Sequence, residues 1–240
     1  MQPRVTPVAI TPHLSCDEEA AAAFRIGLVA ATRETFGKHG FAAFNYTRPA
    51  AAVHEAGHAL VYAALGPRPI RVSLERRFYE IGGVTKAFWG GACQTDRKSF
   101  TIDTQFTGPH EYFREIAFIA AGAIAEQRSA PGGLAPGSSL DERVMAGMLC
   151  HTAETAFGLP ENAAGCLVKE IVTTLLDDFE QVRAKLSRRL LNSKVLRRAE
   201  LDRALAPVTA ARGANEAKFK SLIDDFLRLA ASTSAEGSAL

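Results

Sequence analysis

Apolar residues recur every three or four positions along most of this chain, a spacing that predicts helices with one buried face. The first predicted helix covers residues 17–36 and ends near Gly37 or Gly40. Ser15 and Glu18 have the spacing of a capping box at its start. The N-terminal part of the chain is therefore predicted to be a helical extension.

A second helix is predicted to begin at Pro49, because proline fits the first turn of a helix, and to end at Gly66 and Pro67. Residues 69–89 instead alternate apolar and polar side chains and are rich in strand-forming residues. They predict a short sheet and carry the only clear β pattern of the sequence. One more strand within residues 100–106 is left open, because the surrounding segment is polar and hard to assign.

The pattern returns to helices after Pro109. Residues 110–127 predict a mostly buried helix, and the glycines and prolines of residues 128–139 predict a loop. A capping box of Ser139 and Glu142 predicts a sharp start for the helix that follows.

The final third of the chain predicts two helices that each carry an apolar stripe, one on a long helix and one near the C-terminus. Residues 232–240 have too little apolar surface to fold and are predicted to be a frayed tail. The two stripes consist of Leu167, Ile171, Leu175, Phe179, Val182 and Leu186, and of Phe219, Leu222, Ile223 and Phe226.

Composition narrows the class of protein. With 47% hydrophobic residues, 22% charged residues and a net charge of +2, the chain has the composition of a soluble globular protein, and nucleic acid is not an expected partner. The longest apolar run, residues 116–124, is far short of the roughly 20 residues that cross a bilayer, so no membrane span is predicted. The first residues lack the apolar segment of a secretory signal, which favours the cytoplasm. The scattered Cys16, Cys93, Cys150 and Cys166 indicate reduced thiols and no cysteine metal site.

The segment VHEAGHAL places candidate chemistry in the second helix. His54 and His58 are four positions apart, so their side chains project about 40° from one another on one helix face. Two imidazoles so placed can share a zinc ion, and Glu55 can act as a general base without being a ligand. Gly57 costs about 1 kcal/mol of helix propensity relative to alanine, which indicates close packing there. The motif also occurs by chance, so a third ligand has to support it.

The same segment, followed by the strand segments RVSLERR and IGGVT, resembles the protease domain of the FtsH-type AAA+ zinc metalloproteases. AGAIAE at residues 121–126 is similar to the family's AGRAAE helix, and GSSLD at residues 137–141 is similar to its GASND-like segment. The likeness covers residues 48–208, and HEAGH is its most specific part. It implies a zincin-like metal helix followed by a helical C-terminal part.

The resemblance implies that Zn²⁺ is held by His54, His58 and Asp141, because the aspartate of the GASND-like segment is the family's third zinc ligand. Glu126 is the alternative third ligand. In the implied mechanism zinc lowers the pKa of its bound water, and Glu55 carries a proton from that water to the leaving amine. Three other candidates belong to no motif and are expected to be surface or helix-end residues and not ligands: His110, His151 and Glu154.

The chain also departs from the family. It contains no GxxxxGK[ST] phosphate loop and no membrane span ahead of the protease region. Ala123 stands where the family has arginine, and residues 75–77 read ERR where it has a proline and a glycine. The chain is therefore expected to work without ATP, either alone, as a homo-oligomer or with a separate ATPase. The N-terminal helix and residues 219–226 are the predicted docking sites for such a partner.

The predicted fold is mainly α with a small β-sheet, of the α+β class. It comprises a helical N-terminal extension over residues 1–47, an FtsH-like zinc peptidase domain over residues 48–210, and an amphipathic helix with a disordered tail over residues 211–240. The expected function is a zinc-dependent metalloendopeptidase that hydrolyses peptide bonds in flexible or unfolded polypeptides, with the strand over residues 83–89 pairing with the substrate. The alternative is a non-catalytic scaffold or regulator that keeps the fold and binds a peptide or a partner.

Overall fold

The computed structural model describes residues 18–81, 83–96, 108–129 and 137–237. These ranges form helices and a small three-stranded antiparallel sheet, which confirms the predicted mainly α, α+β class. Ser15, in the predicted capping box, and residues 100–106, the site of a possible further strand, lie outside them. In chain order the elements are α1 (Glu18–His39), a 3₁₀ helix (Gly40–Phe44), α2 (Arg48–Leu65), β1 (Pro69–Ile81), β2 (Val84–Thr95), α3 (Pro109–Ser129), α4 (Leu140–Phe157), α5 (Ala163–Asp178), α6 (Glu180–Ser193), β3 (Val195–Arg197), α7 (Arg198–Ala210) and α8 (Arg212–Gly237).

α2 is the central element of the fold and the one that carries the HEAGH segment. The hydroxyl of Thr47 caps its start by accepting a hydrogen bond from the Ala50 N–H at 3.3 Å, and Pro49 lies in the first turn as predicted. The helix ends at Gly66, whose N–H donates to the Tyr62 carbonyl at 2.9 Å. Most of its side chains are buried, because α3, α5, α6, α7, α8 and the β1–β2 hairpin all pack against it.

Gly57 allows α2 and α3 to approach closely. A Cβ atom at Gly57 would lie 2.5 Å from the Ala125 Cβ and 2.8 Å from the Ala121 carbonyl oxygen. The expectation that Gly57 marks a close contact with a neighbouring element is therefore confirmed. This contact sets how near the backbone of α3 comes to the histidines of α2.

β1 lies in the middle of the sheet, and both of its neighbours run antiparallel to it. β3 pairs with residues 71–73, and among the described residues the rest of the β1–β2 hairpin has no third strand beside it. In the described part of the chain, β2 has a neighbouring strand on one side only. The predicted sheet is confirmed, but its second strand continues beyond Trp89 to Thr95, and β3 was not predicted.

The long helix predicted from the first C-terminal stripe is two helices in the structure. α5 ends at Asp178 and α6 begins at Glu180, because Phe179 has φ −123° and ψ 28°, outside the helical region. One non-helical residue barely disturbs the apolar periodicity. The stripe therefore could not reveal the break.

The terminal helices pack against the rest of the chain. α1 lies against α4, and α8 contacts α2, α3, α5 and α7. Phe219 and Ile223 of α8 are only 2% and 0% exposed, so the stripe predicted as a docking site is buried within the chain at these positions. α8 also continues to Gly237, further than the predicted tail allowed. None of the helices within the described ranges is both long and apolar enough to span a membrane.

Candidate metal centre

The two histidines of α2 converge as the HExxH spacing predicts. Their rings lie edge to face with centroids 4.6 Å apart, and the two Nε2 atoms are 3.0 Å from one another. The Oε1 atom of Glu142 lies 3.1 Å from each Nε2. Both histidines are buried, and Glu142 is partly buried. Among the residues that the structure describes, His54, His58 and Glu142 form the group whose ligand atoms are close enough to hold one metal ion.

The third member of this group is Glu142 and not Asp141, the residue that the family resemblance implied. Both lie in the first turn of α4, but adjacent residues of a helix point about 100° apart, and here Glu142 turns toward α2. The Asp141 side chain is exposed. We therefore take Glu142 as the candidate third ligand.

The predicted capping box at the start of α4 is wrong, and its absence explains the role of Glu142. Ser139 occupies the N-cap position in a left-handed conformation, with φ 47° and ψ 36°, and its side chain makes no capping hydrogen bond. Its hydroxyl donates to the Oε1 atom of Glu126 at 3.1 Å instead. Glu142, the expected reciprocal partner in the box, is free to face the histidines.

The outer nitrogen of each histidine is held by a hydrogen bond to α3. The Nδ1–H of His54 donates to Glu126 Oε1 at 2.5 Å, and the Nδ1–H of His58 donates to the Phe118 carbonyl oxygen at 2.8 Å. This assignment leaves the lone pair on each Nε2 directed into the group. Metal-binding histidines are commonly oriented in this way by a carboxylate or a backbone carbonyl.

Glu126 has the position of an orienting carboxylate, not of a ligand. The Tyr46 hydroxyl donates to its Oε1 atom, and the Ser138 hydroxyl donates to its Oε2 atom at 2.8 Å. With His54 and Ser139 as well, both of its oxygens are engaged. The structure thus favours a supporting role for the residue that the sequence offered as the alternative third ligand.

Two glycines make room for the functional side chains. A Cβ atom at Gly122 of α3 would lie 2.3 Å from Cε1 of His54, so the imidazole rests directly on the helix backbone. A Cβ atom at Gly91 of β2 would lie 2.5 Å from Cγ of Glu55. The site is therefore closed by backbone on two sides, by a helix next to His54 and by a strand next to Glu55.

Glu55 belongs to α2 and is 4% exposed, and its side chain lies against Gly91 of β2. Burial raises its pKa above the usual value for a glutamate, although the nearby His54 and His58 act in the opposite direction. A raised pKa makes a carboxylate a better proton acceptor. This is the property that a general base needs.

The electrostatics of the group favour a positive charge between its members. Burial disfavours the ionised form of Glu142, but the facing histidines outweigh burial and lower its pKa. Burial likewise disfavours charged histidines, but the surrounding carboxylates together outweigh it, Glu142 most of all, and raise the pKa of both His54 and His58. With Glu55 and Glu126 nearby, the histidines are surrounded by three carboxylates.

These residues fit a divalent cation. Glu142 Oε2 is buried and has no hydrogen-bond partner among the described residues, which is costly unless something else binds it. Two imidazoles and one glutamate are a donor set found in catalytic zinc sites. A cation there would also balance the charge of the carboxylates.

The sequence contained little sign of the supporting residues. Tyr46 precedes α2, Ser138 precedes α4, and Gly91 lies in β2, so none belongs to the HEAGH motif. Gly122 lies within the AGAIAE segment of the resemblance, but the similarity of that segment indicates no role for this glycine. Only the packing of α2 against α3 and β2 reveals what these residues do.

Comparison with models of known protein families finds none that matches this chain, and comparison with curated proteins finds no match either. The resemblance to the FtsH-type protease domain therefore stays a prediction that rests on motifs and their order. The arrangement of His54, Glu55, His58 and Glu142 is the main basis on which a function can be proposed.

Proposed function

We propose that this protein is a zinc-dependent metalloendopeptidase that hydrolyses peptide bonds in flexible or unfolded polypeptides. The observation that carries the proposal is the convergence of the two Nε2 atoms on Glu142, with both Nδ1 atoms fixed by α3 and Glu55 buried beside them. His54, His58 and Glu142 would hold the metal, in place of the set with Asp141.

A zinc ion bound there would supply Lewis acidity and an activated water. Glu55 would accept the proton of the attacking water and return it to the leaving amine, since it follows His54 directly on α2 and is not a member of the ligand group. Glu126 and the Phe118 carbonyl would keep both imidazoles oriented while this proton moves.

The edge of β2 beside Glu55 is the proposed place for an extended substrate. The Leu74 N–H donates to the Lys194 carbonyl, so Leu74 directs its backbone groups away from β2. Its cross-strand partner Gly91 must then direct its own N–H and C=O away from β1, toward the outer edge. The Trp89 N–H already donates to the Tyr46 carbonyl at 3.0 Å. We therefore propose that the substrate pairs with the edge around Gly91, beyond the strand over residues 83–89 that the sequence favoured.

Zinc content and hydrolysis test this proposal together. Purified protein should contain one zinc per chain and cleave an unstructured polypeptide, and a chelator should abolish cleavage until zinc is restored. The Glu55→Gln variant should keep its zinc and lose hydrolysis. Zinc-loaded protein that binds peptides but cleaves none would support the alternative of a non-catalytic scaffold. Protein that binds no zinc would contradict the metal site itself.

A further inference from the structure

The adjacent glycines 90 and 91 of β2 each admit one side chain, on opposite faces of the strand. Successive residues of a strand point to opposite faces of the sheet. On one face Glu55 lies against Gly91, as described above. On the other face Arg77 lies against Gly90, where a Cβ atom would be 3.0 Å from Arg77 Cδ and 3.1 Å from Nε.

Arg77 crosses β2 and reaches its outer edge. The residue belongs to β1, opposite Phe88, and its side chain passes over Gly90. Its Nη2 atom then donates a hydrogen bond of 2.6 Å to the Gly91 carbonyl oxygen. That carbonyl is an outward acceptor that an added strand would use, so the guanidinium occupies part of the proposed substrate position.

The positive charge of Arg77 acts on Glu55 and works to lower the pKa of that carboxyl, but the two side chains form no direct ion pair. The side chain is partly buried, and within the described ranges no carboxylate lies at ion-pair distance from it. Its hydrogen bond to Gly91 uses one of the five N–H donors of a guanidinium. The remaining donors form a planar fork that suits a carboxylate.

We propose that Arg77 is a substrate-binding residue that selects polypeptides with an acidic side chain close to the cleaved bond. This inference rests on the proposed function. A peptide N–H that pairs with the Gly91 carbonyl displaces the guanidinium but leaves it beside the bound peptide. A carboxylate on that peptide then becomes its partner, whereas a neutral side chain offers a weaker acceptor and a basic one repels it.

A peptide series tests this selectivity by direct binding. A single glutamate is moved along a flexible, otherwise uncharged peptide, and each peptide is paired with one that has glutamine at the same place. Binding to zinc-loaded Glu55→Gln protein is followed by the fluorescence of Trp89, the only tryptophan of the chain and two residues from Gly91. At one position the glutamate peptide should bind about fivefold to tenfold more tightly, a range between exposed and buried charged hydrogen bonds.

Variants of two neighbouring arginines separate the role of Arg77 from a general charge effect. Arg77→Gln in the Glu55→Gln background should bind both peptides equally, and Arg77→Lys should restore part of the preference. Arg76→Gln removes the same charge from the adjacent, exposed position and should leave the preference intact. A preference that survives Arg77→Gln, or that Arg76→Gln removes equally, would overturn the proposal.

Hydrolysis by the protein with Glu55 intact distinguishes this inference from the proposed function. Arg77→Gln should raise KM for the glutamate peptide and not for its glutamine counterpart, whereas any change in kcat that arises from the lost charge near Glu55 should be equal for both peptides. An equal loss of kcat for both peptides with unchanged binding would instead assign Arg77 to the transition state and contradict a role in substrate selection. Cleavage without any acidic preference would sink the inference alone. An Arg77-dependent binding preference without cleavage would sink the peptidase function alone.

Discussion

At the scale of single residues, the identity of the third ligand depends on which of two adjacent acids faces α2. We expect Glu142→Ala to weaken zinc binding by more than about 100-fold, because changes that only orient a ligand already cost about 10- to 100-fold. Asp141→Ala should weaken zinc binding far less, since Asp141 is exposed, is not a member of the ligand group and acts on His54 and Glu142 through its charge. Competition with a chromogenic chelator measures both affinities, and circular dichroism checks the fold. The reverse order of effects would return Asp141 to the ligand set.

Gly122 lets the His54 ring pack directly against the backbone of α3 because it has no side chain. In Gly122→Ala the new methyl group would start 2.3 Å from the His54 ring, so the imidazole must move and zinc affinity should fall about 10- to 100-fold. Gly165→Ala in α5 is the matched control, because nothing lies within 4 Å of its added Cβ. That change should leave zinc binding intact and stabilise the fold by about 0.5–1 kcal/mol. Equal zinc affinities in the two variants would contradict the proposed packing of His54.

At the scale of elements, α3 is the support of the candidate site. Phe118, Gly122 and Glu126 are spaced by four residues, so they lie along one face of the helix. On that face Phe118 accepts a hydrogen bond from His58, and Glu126 accepts one from His54. Gly122 leaves room for the His54 ring. The position of α3 against α2 therefore sets the geometry of both imidazoles.

Gly57 controls that position and gives a prediction at the same scale. Gly57→Ala gains about 1 kcal/mol of helix propensity but inserts a methyl 2.5 Å from Ala125 Cβ, and overpacking of this kind costs about 1–3 kcal/mol. We expect a net loss of unfolding free energy of up to about 2 kcal/mol, measured by denaturant titration of metal-free protein. Zinc affinity should fall as well, because the widened contact moves α3 away from both histidines. A variant that is more stable and binds zinc normally would contradict the close packing of the two helices.

The elements that could be predicted from the sequence are those with a local signal. Pro49 and Gly66 mark the ends of α2, and the alternation after Pro69 marks the hairpin. β3 spans three residues and pairs with β1, more than a hundred residues earlier in the chain. A strand that depends on so distant a partner cannot be predicted from the local sequence pattern. The break between α5 and α6 at Phe179 likewise has no local sequence signal, because the apolar periodicity continues across it.

At the scale of the whole molecule, the candidate site combines one local motif with contacts between distant segments. His54, Glu55 and His58 could be predicted because helix geometry alone brings them together. Glu142 lies 84 positions after His58 and 88 after His54, and Ser138 and Tyr46 meet at Glu126 from opposite sides of the motif. A capping pattern favoured a different role for Glu142. Only the folded chain shows that Ser139 leaves the capping role unfilled.

For the proposed peptidase, the choice of substrate depends on whether a polypeptide already exposes an extended segment. The sequence carries no phosphate loop, so the chain alone is not expected to use ATP to unfold a protein. A stable domain exposes an extended segment only by local or global opening, which costs up to its full stability of about 5–15 kcal/mol. A flexible polypeptide already has extended segments and bears no such cost when it binds beside Gly91.

We therefore predict that the zinc-loaded chain cleaves unfolded polypeptides without ATP and leaves well-folded domains intact. The sharpest test uses one substrate in two states, a small stable domain and a destabilised core variant of it, since their sequences differ at a single position. The variant should be cleaved at a rate that rises with its unfolded fraction, while the parent domain persists through the same time course with or without ATP. Glu55→Gln protein provides the control for a contaminating protease. Digestion of the parent domain that ATP accelerates in the presence of this chain alone would refute the prediction.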